Sequence, residues 1–435
     1  LSNILVCAVP NPGHVGPMLA VAEHLQRIGH DVTFTTSENF RSKVASAGIR
    51  FVPLTGKADY DYRHMYEVPG GEDLSDEDRK IHVFRERFAE VIPDQYQVIQ
   101  QISRDTPPDL ILVDTFFMGI FPMLLGPREN RPPVIGCGVN PMILSSADCG
   151  MVVPPATTPE EKQQIVTENQ VIQEKFQPVD ERINAIMRSS GVRPMPHFFV
   201  DSVYLLPDIF LQFAPEALEY PRSEMPETIR YIGPIVPSRP VKFEPPVWWQ
   251  ELDGSRPVVL VTQGTLANHD FNEVIQPTLD GLAGEDVLVI VAAGRSDTET
   301  LNVPENARVA SFIPFDKILP KVDVLVTNGG YGAVNHALSL GVPMVLSGTT
   351  EDKDMVSARV AWAGAGINLK TRHANPEEVR NAVRTILLNE QYRNAAKRLQ
   401  EDCSRYDALA EITRTVDAML AQNENMSEPS LVSAR

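Results

Sequence analysis

Short apolar runs recur along the chain, each followed by a turn rich in glycine or proline and then by a longer stretch with helical spacing. Residues 4–9, 32–35, 111–113 and 134–138 read as strands in the first part of the chain. Residues 258–262, 287–292, 307–312, 322–326 and 344–346 do so in the second. Runs that stay apolar on both faces predict strands covered on both sides, which is the signature of a parallel sheet. Their alternation with helices predicts an α/β fold with doubly wound parallel sheets.

The alternation stops between residues 234 and 257 and then restarts. Pro237, Pro240, Pro245 and Pro246 fall there and predict a semi-rigid connection. The expected organisation is a Rossmann-like domain at 1–236, a linker at 237–256 and a second Rossmann-like domain at 257–423, whose last helix packs back on the first domain. Residues 424–435 read as a frayed tail. Two such halves predict a ligand site in the cleft between them. Locally, residues 10–16 read as a loop, with Pro17 opening a helix that Gly29 closes. Residues 55–97 are rich in charge and tyrosine and predict a mobile loop followed by a helix from about Ser75. Residues 159–190 read as a polar helix. Asn375, Pro376 and Glu378 form a helix start in which asparagine caps, proline stands first and glutamate reaches back.

Charge narrows the function classes. The 435 residues carry a formal net charge of −18, which disfavours a nucleic-acid groove or an anionic membrane surface. An anionic substrate must then be held by local features. Cys7, Cys137, Cys149 and Cys403 form no CxxC pair, and Cys7 and Cys137 lie in apolar runs, as expected of buried thiols in a reducing compartment. No secretory signal precedes the first strand, and the longest apolar stretch, 111–126, is too short to span a bilayer. These features predict a cytoplasmic protein without a transmembrane segment. Oligomeric state has no signature in the sequence.

Residues 324–334 run from a strand through Asn328, Gly329, Gly330, Tyr331, Gly332 and Ala333 into a helix. Glycines let backbone N–H groups approach a ligand, and the helix turns its positive end toward it. A diphosphate suits such a site, and the Asp352 carboxylate further on suits the hydroxyls of an attached sugar. His14 follows the first strand and Asp114 ends another, so both reach the sheet edge where open α/β sheets bind ligands. A carboxylate beside an imidazole sets its tautomer and stabilises the cation formed in proton transfer. Taken singly, His14 fits a loop histidine bonded to backbone better than a catalytic one, and Asp114 fits a helix N-cap. Gln263, Gly264 and Thr265 follow the first strand of the second half and fit either a phosphate contact or a plain turn. The chain has no dinucleotide fingerprint, no G-x-x-x-x-G-K-[ST] loop, no H-E-x-x-H, no paired-cysteine site and no G-x-S-x-G elbow. No metal site is expected.

Together these residues resemble the inverting family 1 glycosyltransferases, which use nucleotide sugars and have the GT-B fold. The resemblance spans nearly the whole chain: the Gly13-His14-x-x-Pro17 opening, Asp114 a further 100 residues on, Tyr231-Ile232-Gly233-Pro234, and the segment from Phe312-Ile313-Pro314 through Asp352-Lys353. It implies that His14 deprotonates an acceptor hydroxyl while Asp114 balances the charge. It places Phe312 and Ile313 at the nucleotide base, and Thr265, Gly330, Gly332 and Ala333 around the diphosphate, within a donor site that also takes in Gln263, Gly264 and Gly329. Asp352 binds the sugar. The resemblance implies no cofactor beyond a UDP-sugar co-substrate, with a TDP-sugar as the other option, and hexose transfer, most simply of glucose. Three positions depart from the family: Asn328 replaces a histidine that contacts the diphosphate, His336 a glutamate at the ribose, and Lys353 a glutamine. Lys353 offers to return the charge lost at Asn328. Phe116, Phe117, Met118 and Met142 are the candidate lining for a small lipophilic acceptor, phenolic, polyketide or terpenoid, with core packing as the competing role. The departures leave two other functions open: a catalytically silent nucleotide-sugar binder or activator of a partner enzyme, and a sugar-nucleotide epimerase of the same fold.

Overall fold

The computed structural model describes residues 1–235, 243–264, 270–294 and 297–427. Thr265, part of the expected linker and the end of the tail lie outside the described residues.

Seven strands form the first sheet: β1 (Asn3–Cys7), β2 (Asp31–Thr36), β3 (Arg50–Pro53), β4 (Leu110–Asp114), β5 (Val134–Gly138), β6 (Ile209–Gln212) and β7 (Ile229–Tyr231). Six form the second: β8 (Val258–Thr262), β9 (Leu288–Ala292), β10 (Ala307–Ala310), β11 (Val324–Thr327), β12 (Met344–Leu346) and β13 (Gly366–Asn368). Every pairing is parallel. The orders are β3-β2-β1-β4-β5-β6-β7 and β10-β9-β8-β11-β12-β13. The direction of winding therefore reverses between β1 and β4 in one sheet and between β8 and β11 in the other. Those reversals leave a crevice at the carboxyl ends of the strands, where ligands bind in such sheets.

The apolar runs are divided between two faces, as a period of two requires. Leu5, Cys7 and Val9 join one core while Ile4, Val6 and Ala8 join the other. In the second sheet Val258 and Leu260 face one core and Val259 and Val261 the opposite one. The helix Ala408–Ser427 returns to the first sheet, where Ile412 and Val416 enter the core with Val15, Val21 and Phe34, and His24 Nε2 meets Thr413 Oγ1 at 2.8 Å.

Some local expectations need correction. The first helix spans Pro12–Arg27, so it begins at Pro12 and Pro17 lies inside it. Asn11 is the reason: its side chain accepts Gly13 N at 2.9 Å, and Pro12 takes the first helical position, where a missing N–H costs nothing. His14 is therefore on the first turn of a helix and not in a loop. Residues 56–58 and 62–64 form short turns, and the helix Asp76–Phe84 starts about where the sequence suggests, capped by Ser75. Asn375 caps the helix Pro376–Leu388 by accepting from the backbone N–H groups of Glu377 and Glu378. β3, β7 and β13 lie at sheet edges and are three or four residues long, too short for a period to register.

Gly281 lies where two helices touch: a methyl there would stand 2.2 Å from the Pro376 carbonyl oxygen. Gly281→Ala is expected to destabilise the second half by about 1–3 kcal/mol through that overlap, read as a lower midpoint in thermal unfolding.

Candidate active site

Asp114 ends β4 and is fully enclosed, between β1 and β5. Its Oδ2 accepts the Val9 N–H at 2.8 Å and contacts His14 Nδ1 at 2.9 Å. It caps no helix. A carboxylate only accepts, so Nδ1 carries the hydrogen and the lone pair of the neutral ring lies on Nε2. The negative charge of Asp114 is felt by its neighbours. Burial, and then Asp114, push the thiols of Cys7 and Cys137 well above the usual cysteine range. All four cysteines are buried and free.

The second half contributes Asp352. It stands at the start of the helix Lys353–Trp362 but gives that helix no side-chain cap. Its Oδ2 instead accepts from Asn140 Nδ2, 3.2 Å away on the turn after β5. Burial pushes the Asp352 carboxyl above the ordinary carboxylate range, against the opposing pull of the Asn140 hydrogen bond and of His14. His14, Asp114, Asn140 and Asp352 thus gather where the two sheets face each other.

Near β11, Gly329 has φ of 86°, a conformation that glycine adopts without strain. It delivers the chain into the helix Tyr331–Ser339, whose start has no side-chain cap. The N–H groups of its first turn are therefore left for an outside acceptor. Asn328 donates its amide to the Gln263 carbonyl at 2.5 Å, and methyls on Gly264 and Gly330 would lie 4.0 and 3.9 Å from its Oδ1. The two turns at the second switch point are thus tied together by Asn328. The Gln263 side chain is used structurally: its Oε1 accepts from Val274 and Ile275, at the start of the helix Ile275–Leu282. Gly332 and Ala333 lie on the first turn after Gly330, and nothing stands within 4 Å of a methyl placed on Gly332. Phe312 is 60% exposed and Ile313 is buried beside it. His336 packs against Phe315, and burial lowers its pKa. Lys353 turns back on its own loop, where its ammonium pairs with Glu351 and donates to Thr350 Oγ1 at 3.1 Å.

The acceptor candidates come out differently. Phe117, Met118 and Met142 are 1%, 1% and 0% exposed and belong to the first core, so packing is their role. Phe116 joins a cluster of phenylalanine rings with Phe84 and Phe88. Met142 acts near the site through its backbone carbonyl, which accepts from Arg359 at 2.7 Å and Arg222 at 3.0 Å. Sequence reasoning missed Asn140, Glu219 and Arg359. Arg359 did leave a signal, because it shares a helix face with Val356 and Val360, where an arginine must find a buried acid.

Comparisons with known proteins identify the family and the fold. Residues 4–102 match the glycosyltransferase family 28 N-terminal domain, and 276–419 match the domain described as erythromycin biosynthesis protein CIII-like, C-terminal. The chain is 34% identical to UDP-glycosyltransferase 2 of Phaeomoniella chlamydospora over 96% of both chains. It is 34% identical to 4'-demethylrebeccamycin synthase of Lentzea aerocolonigenes over 96% of this chain and 100% of that one. The calicheamicin glycosyltransferase structure superposes with a TM-score of 0.75 at 21% identity, covering 97% of this chain and 98% of that one. The protein belongs to the family 1-like UDP-glycosyltransferases, with the GT-B fold that the sequence resemblance implied. Among the described residues, no helix is long and apolar enough to cross a membrane.

The raised carboxyl of Asp352 makes a stability prediction. The folded state binds the proton more tightly than the unfolded chain does, so stability falls as pH rises from the ordinary carboxylate range to the raised value, and the loss is complete above it. Asp352→Asn should therefore unfold at a higher temperature than the parent at pH 7, with the gap closing as pH falls into the carboxylate range. Calorimetry at several pH values checks this.

Proposed function

We propose that the protein is an inverting, metal-independent glucosyltransferase that moves glucose from UDP-glucose to a hydroxyl of a lipophilic small molecule. The observation that carries the reading is the His14–Asp114 pair at one switch point, facing Asp352 from the other half. The relatives support the chemistry, since their names describe UDP-glycosyl transfer and synthesis of a rebeccamycin-type product.

His14 Nε2 takes the proton of the acceptor hydroxyl, and the acceptor oxygen attacks the anomeric carbon. The bond from that carbon to the diphosphate oxygen breaks, and its electron pair leaves with UDP. Attack from the side opposite the diphosphate turns an α-linked donor into a β-glycoside. Asp114 stabilises the imidazolium through Nδ1. The uncapped start of the helix Tyr331–Ser339 presents N–H groups to the charge that grows on the leaving diphosphate. Asp352 holds sugar hydroxyls, which orients the anomeric carbon toward His14. Asn328 sets the shape of the diphosphate turn by bridging it to Gln263 rather than by bringing charge. The intact base pair also speaks against a silent binder.

Incubation with UDP-glucose and a panel of phenolic and hydroxylated acceptors should give a product heavier by one hexose, read by chromatography and mass spectrometry. His14→Ala should abolish it. Asp114→Asn keeps the shape but loses the tautomer control, and should lower kcat by about 10²–10⁴-fold. Retention of full activity by either variant overturns the assignment of the base.

A further inference from the structure

Glu219 has no place in the chemistry above, yet three parts of the molecule converge on it. It lies just after the short turn Glu216–Leu218 in the N-terminal half, and its side chain is 0% exposed. Its Oε2 accepts from Arg359 Nε at 2.7 Å, and Arg359 is likewise 0% exposed. Its Oε1 accepts from Tyr331 Oη at 3.0 Å and from the Met142 N–H at 3.2 Å. Tyr331 is the first residue of the helix assigned to the diphosphate. Arg359 is on the helix that begins next to Asp352, and seven residues from it (two helical turns) it shares its face. Met142 is two residues from Asn140, the partner of Asp352.

The contacts close into a loop. Arg359 reaches across to the carbonyls of Met142 and Met151 at 2.7 and 2.9 Å, and its guanidinium lies 4.5 Å from the centre of the Tyr220 ring. Gln212 Nε2, at the end of β6, bonds both the Asn140 carbonyl at 2.7 Å and Tyr331 Oη at 3.0 Å. Burying an ion pair of this kind gains little stability by itself, because both charges lose their hydration. Its geometric effect is large, since a buried carboxylate with three donors has one low-energy position.

We propose that Glu219 is a positioning residue: it fixes the diphosphate helix, the Asp352 helix and the 140–151 turn relative to one another, and so sets the distance between the sugar held by the second half and the base on the first. This inference rests on the glycosyl-transfer reading for its kinetic consequence but not for its structural one.

The test compares the parent with Glu219→Gln/Arg359→Met, which removes both charges together and avoids leaving one buried alone, and with Glu219→Asp, which keeps the charge on a shorter arm. Hydrogen exchange by mass spectrometry follows residues 140–151 and 331–339. UDP affinity is measured by calorimetry, and transfer from UDP-glucose gives kcat. Both segments should exchange faster together in the double variant, while β1 and β8 keep the parent rates. UDP affinity should stay within about threefold and kcat per folded molecule should fall by about tenfold or more, as expected when reacting groups are held but misaligned. Glu219→Asp should show the same pattern more weakly, and it decides the matter if the double variant does not fold. Parent-like exchange, or a parent-like kcat per folded molecule, overturns the proposal, as does a loss of UDP affinity equal to the loss of kcat. If the parent itself transfers no sugar, the glycosyl-transfer reading fails and the exchange data decide alone: paired acceleration supports the positioning role and unchanged rates overturn it.

Discussion

Asp114 is the group on which the site depends. It is a carboxylate without solvent contact, held by the Val9 N–H and by His14. Its position follows from register: β4 lies between β1 and β5, with Val113 beside Cys7 and Asp114 beside Cys137. The strand end therefore delivers the carboxylate to the point where the first helix starts. That helix starts there because Asn11 and Pro12 make it start there. A charge so enclosed needs hydrogen bonds, and the histidine that supplies one is thereby fixed in tautomer and direction.

The two halves use one topological device twice. In each sheet the winding reverses beside a central strand, and the turns after the strands flanking that reversal carry the polar groups. The first half carries the His14–Asp114 pair there, and the second carries the uncapped start of the helix Tyr331–Ser339, with Asp352 following β12. A site divided in this way depends on how the halves are held together. Apolar packing contributes, with Ala214 and Leu218 in a core of the second sheet and Ile412 and Val416 in one of the first, and beside it stand polar contacts: Glu219 with Arg359, Gln212 with Tyr331, and Asn140 with Asp352. Polar contacts fix direction as well as distance, which suits an interface that must align two reacting partners.

Much of this was legible in the sequence. The strands at 134–138, 258–262 and 344–346 are seen at the bounds their apolar runs suggest, because buried parallel strands leave unbroken hydrophobic stretches. His14 and Asp114 were legible because each follows or ends such a run. The helix start at Pro12 was misplaced because two prolines, Pro12 and Pro17, both fit a first-turn position, and only the Asn11 cap separates them. Phe117, Met118 and Met142 fill the core, and the sequence does not separate that role from pocket lining, because an apolar residue near a strand end looks the same in either place. Asn140 and Glu219 were hidden for another reason. Their roles lie in pairings across 212 and 140 residues of chain, with Asp352 and Arg359, which no local pattern encodes.

The proposed single displacement inverts the anomeric configuration, whereas a double displacement retains it. The most direct measurement is the anomeric configuration of the product formed from UDP-α-glucose, read from the coupling between its first two ring protons by nuclear magnetic resonance. The account predicts the large diaxial coupling of a β-glucoside. The small coupling of an α-glucoside would contradict it, because retention requires either a second displacement or attack from the face that the diphosphate occupies.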